Sequence, residues 1–151
     1  MKTKNLKKFI YEGLGFPVEL YNIAMVMHDG EWHPKIDARK IAESVIRELP
    51  FQLERLTGSQ IKFIRTFFEM SLRDFGKNVV SESHTAVAKW EKFGNKSTNM
   101  DENIEVLLRL YIYEKVAIKN KKQRAQFFDK YLELREMNFT KNTPKINLND
   151  R

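Results

Sequence analysis

The 151-residue chain has no cysteine, which excludes a disulfide scaffold and any thiolate metal site. No stretch approaches the roughly 18 consecutive apolar residues that a membrane-spanning helix needs. The lysine-rich start, Met1 to Lys8, leads into no long apolar run. A soluble, cytoplasmic protein with no membrane partner is therefore expected. Internal repeats and low-complexity tracts are missing too, as are a Gly-rich phosphate loop, G-x-S-x-G and H-E-x-x-H. Neither a catalytic residue nor a cofactor is expected on those grounds.

What is present is a balance of 42% hydrophobic and 31% charged residues, which suits a folded chain with one compact domain or a small domain with appendages. The net charge of +7 is unevenly spread. Residues 1–50 carry 8 basic and 7 acidic side chains, residues 51–114 carry 9 of each, and residues 115–151 carry 10 and 4. Charge alone points to the end of the chain rather than its middle.

Residues 9–35 contain Pro17, Pro34 and the turn signal Asp29-Gly30 around the run Val18–Met27, a pattern that predicts one or two short strands. From Asp37, which can cap, Ile41, Ala42, Val45, Ile46 and Leu49 recur at helical spacing. Thr57 and Gln60 have capping-box spacing and open a helix from Gly58 to about Glu69. Helices from Ser71 to about Val79 and from Ser83 to about Phe93 follow. Another begins at an Asn99–Glu102 cap signal and runs to Val116, and a last one covers Gln123 to Met137. The polar end beyond Asn138 is expected to be flexible. The implied organisation is a β-α extension over 1–52, a helical domain over 53–116, a C-terminal helix over 117–137 and a tail over 138–151.

Spacing, capping and composition converge between Leu56 and Glu91. Two short helices that cross steeply need a small residue at the crossing and apolar pins beneath the second helix. Gly76 supplies the first; Phe75, Val79, Val87 and Trp90 supply the second, leaving the outer face of Ser83–Lys89 polar. Leu-Thr-Gly-Ser-Gln-Ile-Lys-Phe-Ile-Arg, Met-Ser-Leu-Arg-Asp-Phe-Gly and Ser-His-Thr-Ala-Val-Ala-Lys-Trp-Glu-Lys together resemble the XRE (Cro/phage-repressor) helix-turn-helix family. The Leu-Thr-Gly opening is most similar to its antitoxin branch, the MqsA- and HigA-type regulators. Ser71 to Trp90 is one residue longer than the usual pattern, which places an extra residue in the turn around Val80–Glu82, where a Gly is usual. Leu72 stands where Gln is usual.

The resemblance implies a mainly α fold, an XRE-like helix-turn-helix domain with a short N-terminal β-strand or hairpin plus helix and a C-terminal helix. It implies a homodimeric transcriptional regulator on a palindromic double-stranded DNA operator, a repressor of its own promoter, with a protein toxin as a possible second partner. Ser83 would cap the recognition helix, and His84, Thr85, Ala88 and Lys89 would read base edges. Lys62, Arg73, Lys77, Lys92 and Lys96 would hold phosphates. Leu107, Leu108, Tyr111 and Ile112 form an apolar stripe that can serve as core or as dimer interface. The basic run Lys119–Arg124, with Phe127, Phe128 and Tyr131 behind it, can be a solvated helix end, a phosphate grip or a packing helix.

Two other classes stay open at this level. One is a toxin-neutralising or adaptor module without sequence-specific DNA binding, motivated by Leu72, the extra turn residue and the neutral charge of residues 51–114. The other is a nuclease or metal site built on His28 and His33, which sit beside Asp29, Glu31 and Asp37 but lack helical or zinc-finger ligand spacing. No metal is expected there.

Overall fold

A strand is built from the first residues of the chain: β1 (Thr3–Tyr11) pairs antiparallel with β2 (Val18–His28), in a register running from Thr3↔Val26 to Tyr11↔Val18. Asp29 and Gly30 both take positive φ, 49° and 79°, the backbone of a two-residue type I′ turn. That turn folds β3 (Glu31–Pro34) back onto the end of β2, with His28 opposite Glu31. The start of β2 is met by β4 (Ile146–Leu148), which runs parallel to it with Val18↔Ile146 and Leu20↔Leu148. Asn22, at φ 56°, interrupts the alternation of β2. Val18 and Leu20 before it and Met25 after it are buried at positions of opposite parity.

The computed structural model describes residues 2–116 and 121–148, and the chain divides into two units. The first comprises Met1–Val45 with Lys145–Arg151, the second Ile46–Pro144. The division falls inside α1 (Ala38–Glu48), whose first backbone amides are held by the Asp37 carboxylate through Arg39 N at 3.1 Å and Lys40 N at 3.2 Å. In the first unit Val18, Leu20, Met25, Ile41, Val45, Ile146 and Leu148 are buried.

The expected fold class, mainly α with an XRE-like helical domain and only a short β element, is overturned. Among the described residues, 22% are in strand or bridge against 49% in helix, and the strands form a four-stranded sheet whose longest members have 9 and 11 residues. β1 escaped notice because Leu6, Phe9, Ile10 and Tyr11 do not alternate and most of the strand is exposed. The expected flexible tail is corrected as well. Thr140 bridges to Glu54 and Ile146–Leu148 is a strand with both its apolar residues buried. Three residues are too short a run for periodicity to reveal.

The second unit holds a 3-10 turn (Leu49–Phe51), then α2 (Gly58–Phe67), α3 (Leu72–Phe75), a π turn (Gly76–Val80) and α4 (His84–Glu91). It continues with α5 (Glu102–Val116), α6 (Lys121–Ala125) and α7 (Phe127–Glu136). The capping box forms as its spacing predicts: Gln60 N donates to Thr57 Oγ1 and Thr57 N to Gln60 Oε1, both at 3.1 Å. The cap of α5 lies elsewhere than expected, because Asp101 rather than Asn99 accepts from Asn103 N at 2.9 Å. The last helix breaks at Gln126. Within the basic run Lys119–Arg124, Lys119, Asn120 and the side chains of Gln123 and Arg124 lie outside the described residues, as does the Phe128 side chain.

Leu56, Ile61, Ile64, Phe75, Val87, Leu108, Ile112 and Leu134 are fully buried and form this unit's core. Each such side chain is worth roughly 1.5–3 kcal/mol relative to exposure. Through that core runs an ionic network. Glu105 Oε1 accepts from Arg55 Nε at 2.9 Å and Oε2 from Arg109 Nη2 at 2.9 Å, with all three residues buried. Arg109 also donates to the carbonyls of Pro50 (3.3 Å), Gln52 and Glu54 (2.8 Å), and its guanidinium lies 3.8 Å from the Phe139 ring centre. Burial pulls the Arg109 guanidinium below its ordinary pKa, and the Glu105 carboxylate opposes that shift. The network fixes the path of residues 50–56, which delivers Thr57 to the start of α2.

Candidate nucleic-acid interface

Ser71 caps α3 through Asp74 N at 3.1 Å, and Ser83 caps α4 through Ala86 N at 3.1 Å. Between them Gly76–Val80 takes π geometry. Ser81 then takes the left-handed conformation (φ 55°, ψ 43°), and Ser81 N and Glu82 N both donate to Gly76 O. A Cβ on Gly76 would lie 2.4 Å from Glu82 O, so only glycine lets the turn close over α3. The sequence argument for a small residue at the crossing thus has a physical counterpart.

α4 is anchored from three directions. Val87 and Trp90 point inward, 0% and 7% exposed. Arg65 of α2 grips Glu91 with two hydrogen bonds, Nε to Oε2 at 2.7 Å and Nη2 to Oε1 at 3.1 Å, and donates a third to Met70 O at 3.0 Å. The Glu91 contact raises the Arg65 pKa. Gly58, at the start of α2, lies so close to the end of α4 that a Cβ would sit 2.5 Å from Trp90 O and 2.8 Å from Glu91 O.

With Val87 and Trp90 inward, helical geometry turns Thr85, Ala88, Lys89 and Lys92 outward, at i, i+3, i+4 and i+7. Thr85, Lys89 and Lys92 are exposed and Ala88 is partly so. Ser83 and His84 are exposed at the first turn of the helix, off the centre of that stripe. Of the residues expected to hold phosphates, Lys62 is exposed on α2, Arg73 on α3, Lys77 in the π turn, Lys92 at the end of α4 and Lys96 in the following loop. None of these cations, nor Lys89, forms an ion pair among the described residues. One flank of α4 borders an open cleft of about 570 Å³ lined by Glu82, Ala86, Lys89, Trp90, Asn99 and Ile104, among others.

The expected dimer stripe is only partly available. Leu108 and Ile112 are fully buried within their own chain, so their assignment to an interface is corrected: α5 is wide in apolar residues because it is surrounded by the 3-10 turn, the π turn and α7. Leu107 is 57% exposed, while Tyr111 is partly covered with its ring edge against Phe68 at 5.5 Å. His28 and His33 lie side by side on the exposed β2–β3 hairpin, ring centres 6.2 Å apart, His28 3.4 Å from the Asp29 carboxylate. Among the described residues, no three His, Asp or Glu side chains converge on a metal position. No helix there is long and apolar enough to cross a membrane.

Sequence reading missed Lys92 as part of the outward stripe, though its spacing from Thr85, Ala88 and Lys89 contains that signal. It also missed the Arg55–Glu105–Arg109 network. Glu105 and Arg109, opposite charges four apart inside an apolar helix, were the legible trace. Compared with known proteins, the chain matches no family model, no curated protein and no solved structure.

Proposed function

We propose that the second unit binds double-stranded DNA sequence-specifically, with the outer face of α4 in the major groove. The observation that carries this reading is the stripe Thr85, Ala88, Lys89 and Lys92, which faces solvent on a helix locked from behind by Val87, Trp90 and the Arg65–Glu91 pair. A helix about 10–12 Å across fits a groove about 12 Å wide. Lys89 suits guanine O6 and N7; Thr85 and Ala88 suit a thymine methyl.

Lys62, Arg73, Lys77, Lys92 and Lys96 supply the sequence-independent part of the affinity by displacing counterions from phosphates. If all five engage, log K falls with log salt at a slope of roughly −4 to −5. The likeness of residues 56–116 to antitoxin-type XRE regulators supports the same reading, and extends it to a homodimeric repressor of its own promoter, with half-sites about 34 Å apart. Occlusion of the promoter is then the mechanism. A toxin partner rests on that likeness alone.

The test is fluorescence anisotropy with duplex DNA from immediately upstream of the chain's own gene and with a scrambled duplex, for wild type and Lys89→Ala. Selective binding that Lys89→Ala relaxes supports the proposal. Equal, weak binding to both duplexes refutes it and turns the search to a protein partner.

A further inference from the structure

We propose that the outer edge of β1 accepts an acidic, extended segment of another protein as an added strand. Met27 N donates to Lys2 O at 3.0 Å, which makes Lys2 and Met27 a hydrogen-bonded pair. The register from Thr3↔Val26 to Leu6↔Ile23 carries that alternation as far as Lys7, whose place opposite Asn22 is a gap in the pairing at a positive φ. Lys4 and Leu6 therefore turn their amides to β2, and Thr3 and Asn5 turn theirs away. Among the described residues no strand pairs with that second side. The result is an edge strand with no proline to blunt it.

Charge selects the occupant. β1 carries Lys4, Lys7 and Lys8 directly after Lys2, and no carboxylate. Lys8 is answered by Glu19 at 3.2 Å, and Lys4 lies over the Trp32 ring at 4.2 Å. Lys2, Lys4 and Lys7 are exposed. Two β1 strands from two copies would bring lysines together, and like charges across a strand pair are unfavourable. A strand rich in Glu or Asp gains from the same lysines, while Ile10, 45% exposed, offers an apolar contact. The edge thus disfavours its own copy and fits an acidic partner, independently of α4 and of any DNA binding.

The experiment uses the full chain, uniformly ¹⁵N-labelled, and a capped nine-residue peptide alternating Glu and Val. Amide hydrogen exchange should slow at Thr3 and Asn5 on peptide addition, with Lys4 and Leu6 unchanged. A Lys/Val peptide should not bind. Asn5→Pro removes one outward N–H without touching the β2 pairing, and should weaken the Glu/Val peptide about tenfold at unchanged melting temperature. If Asn5→Pro melts early, Lys4→Glu with Lys7→Glu replaces it, and the preference should reverse toward the Lys/Val peptide. The proposal is overturned by the absence of protection, by protection that does not alternate, by equal binding of both peptides, or by a DNA duplex producing the same alternating pattern.

Discussion

Replacing Glu105 by Gln tests the interior of the second unit most severely, because the change is nearly isosteric and acts through charge rather than volume. The carboxylate is 0% exposed and meets two guanidiniums that are themselves buried. Oε1 accepts from Arg55 Nε at 2.9 Å and Leu56 N at 3.4 Å, Oε2 from Arg109 Nε at 3.3 Å and Nη2 at 2.9 Å. An amide keeps one acceptor and turns an N–H₂ toward donors on the other side. The nearest remaining carboxylate to Arg55 is Glu102 at 3.8 Å, which is 78% exposed and screened by water. Breaking a buried ion pair by removing one partner costs about 3–5 kcal/mol. At roughly 2–4 °C per kcal/mol for a chain of this size, the melting temperature should fall by about 10 °C. Urea unfolding, followed by Trp90 fluorescence in a Trp32→Phe background, reads this unit. A loss below about 1 kcal/mol, the size of an exposed salt bridge, would refute the buried network.

Gly76→Ala should destabilise by about 1–3 kcal/mol, since its Cβ would meet the Glu82 carbonyl at 2.4 Å, and the same urea titration measures it. Ser81→Gly should instead stabilise by roughly 0.5–1 kcal/mol by relieving a left-handed residue, and a change of opposite sign in that titration would contradict the π-turn geometry. In the first unit the Tyr21 hydroxyl, at 2.8 Å, then Lys8 and Lys145, hold Glu19 below its ordinary pKa of 4.5 against the opposing effect of burial. A depressed carboxylate stabilises the fold above its unfolded pKa and loses that contribution as pH falls through the folded value. Thermal melts of Glu19→Gln and wild type should therefore differ at pH 7 and draw together as pH falls below 4.5; a constant gap would show that the ionised form contributes nothing.

Local chemistry was legible wherever a few neighbouring residues decide the outcome. Thr57 with Gln60, Asp29 with Gly30, Ser83 before α4 and the burial of Val87 and Trp90 all follow from spacing alone. Long-range partners were not legible. β1 is a mostly exposed strand whose pairing is set by β2, and β4 is a three-residue strand that meets β2 from more than a hundred residues away. The apolar width of α5 read as surplus surface because the chain segments that cover Leu108 and Ile112 are distant in sequence. For the candidate interface, the residue types on α4 were readable, but the orientation of the outward stripe, and the place of Lys92 in it, needed the inward anchors to be fixed first.

The central claim is that α4 meets DNA with Thr85, Ala88, Lys89 and Lys92. ¹⁵N–¹H correlation spectra of the full chain, titrated with the duplex from upstream of its gene, test it residue by residue. The account predicts that the largest shifts fall on those four residues and on Ser83 and His84, with smaller shifts at Arg73, Lys77 and Lys96. Shifts confined to the β-sheet or to α7, or none at saturating duplex, would contradict it.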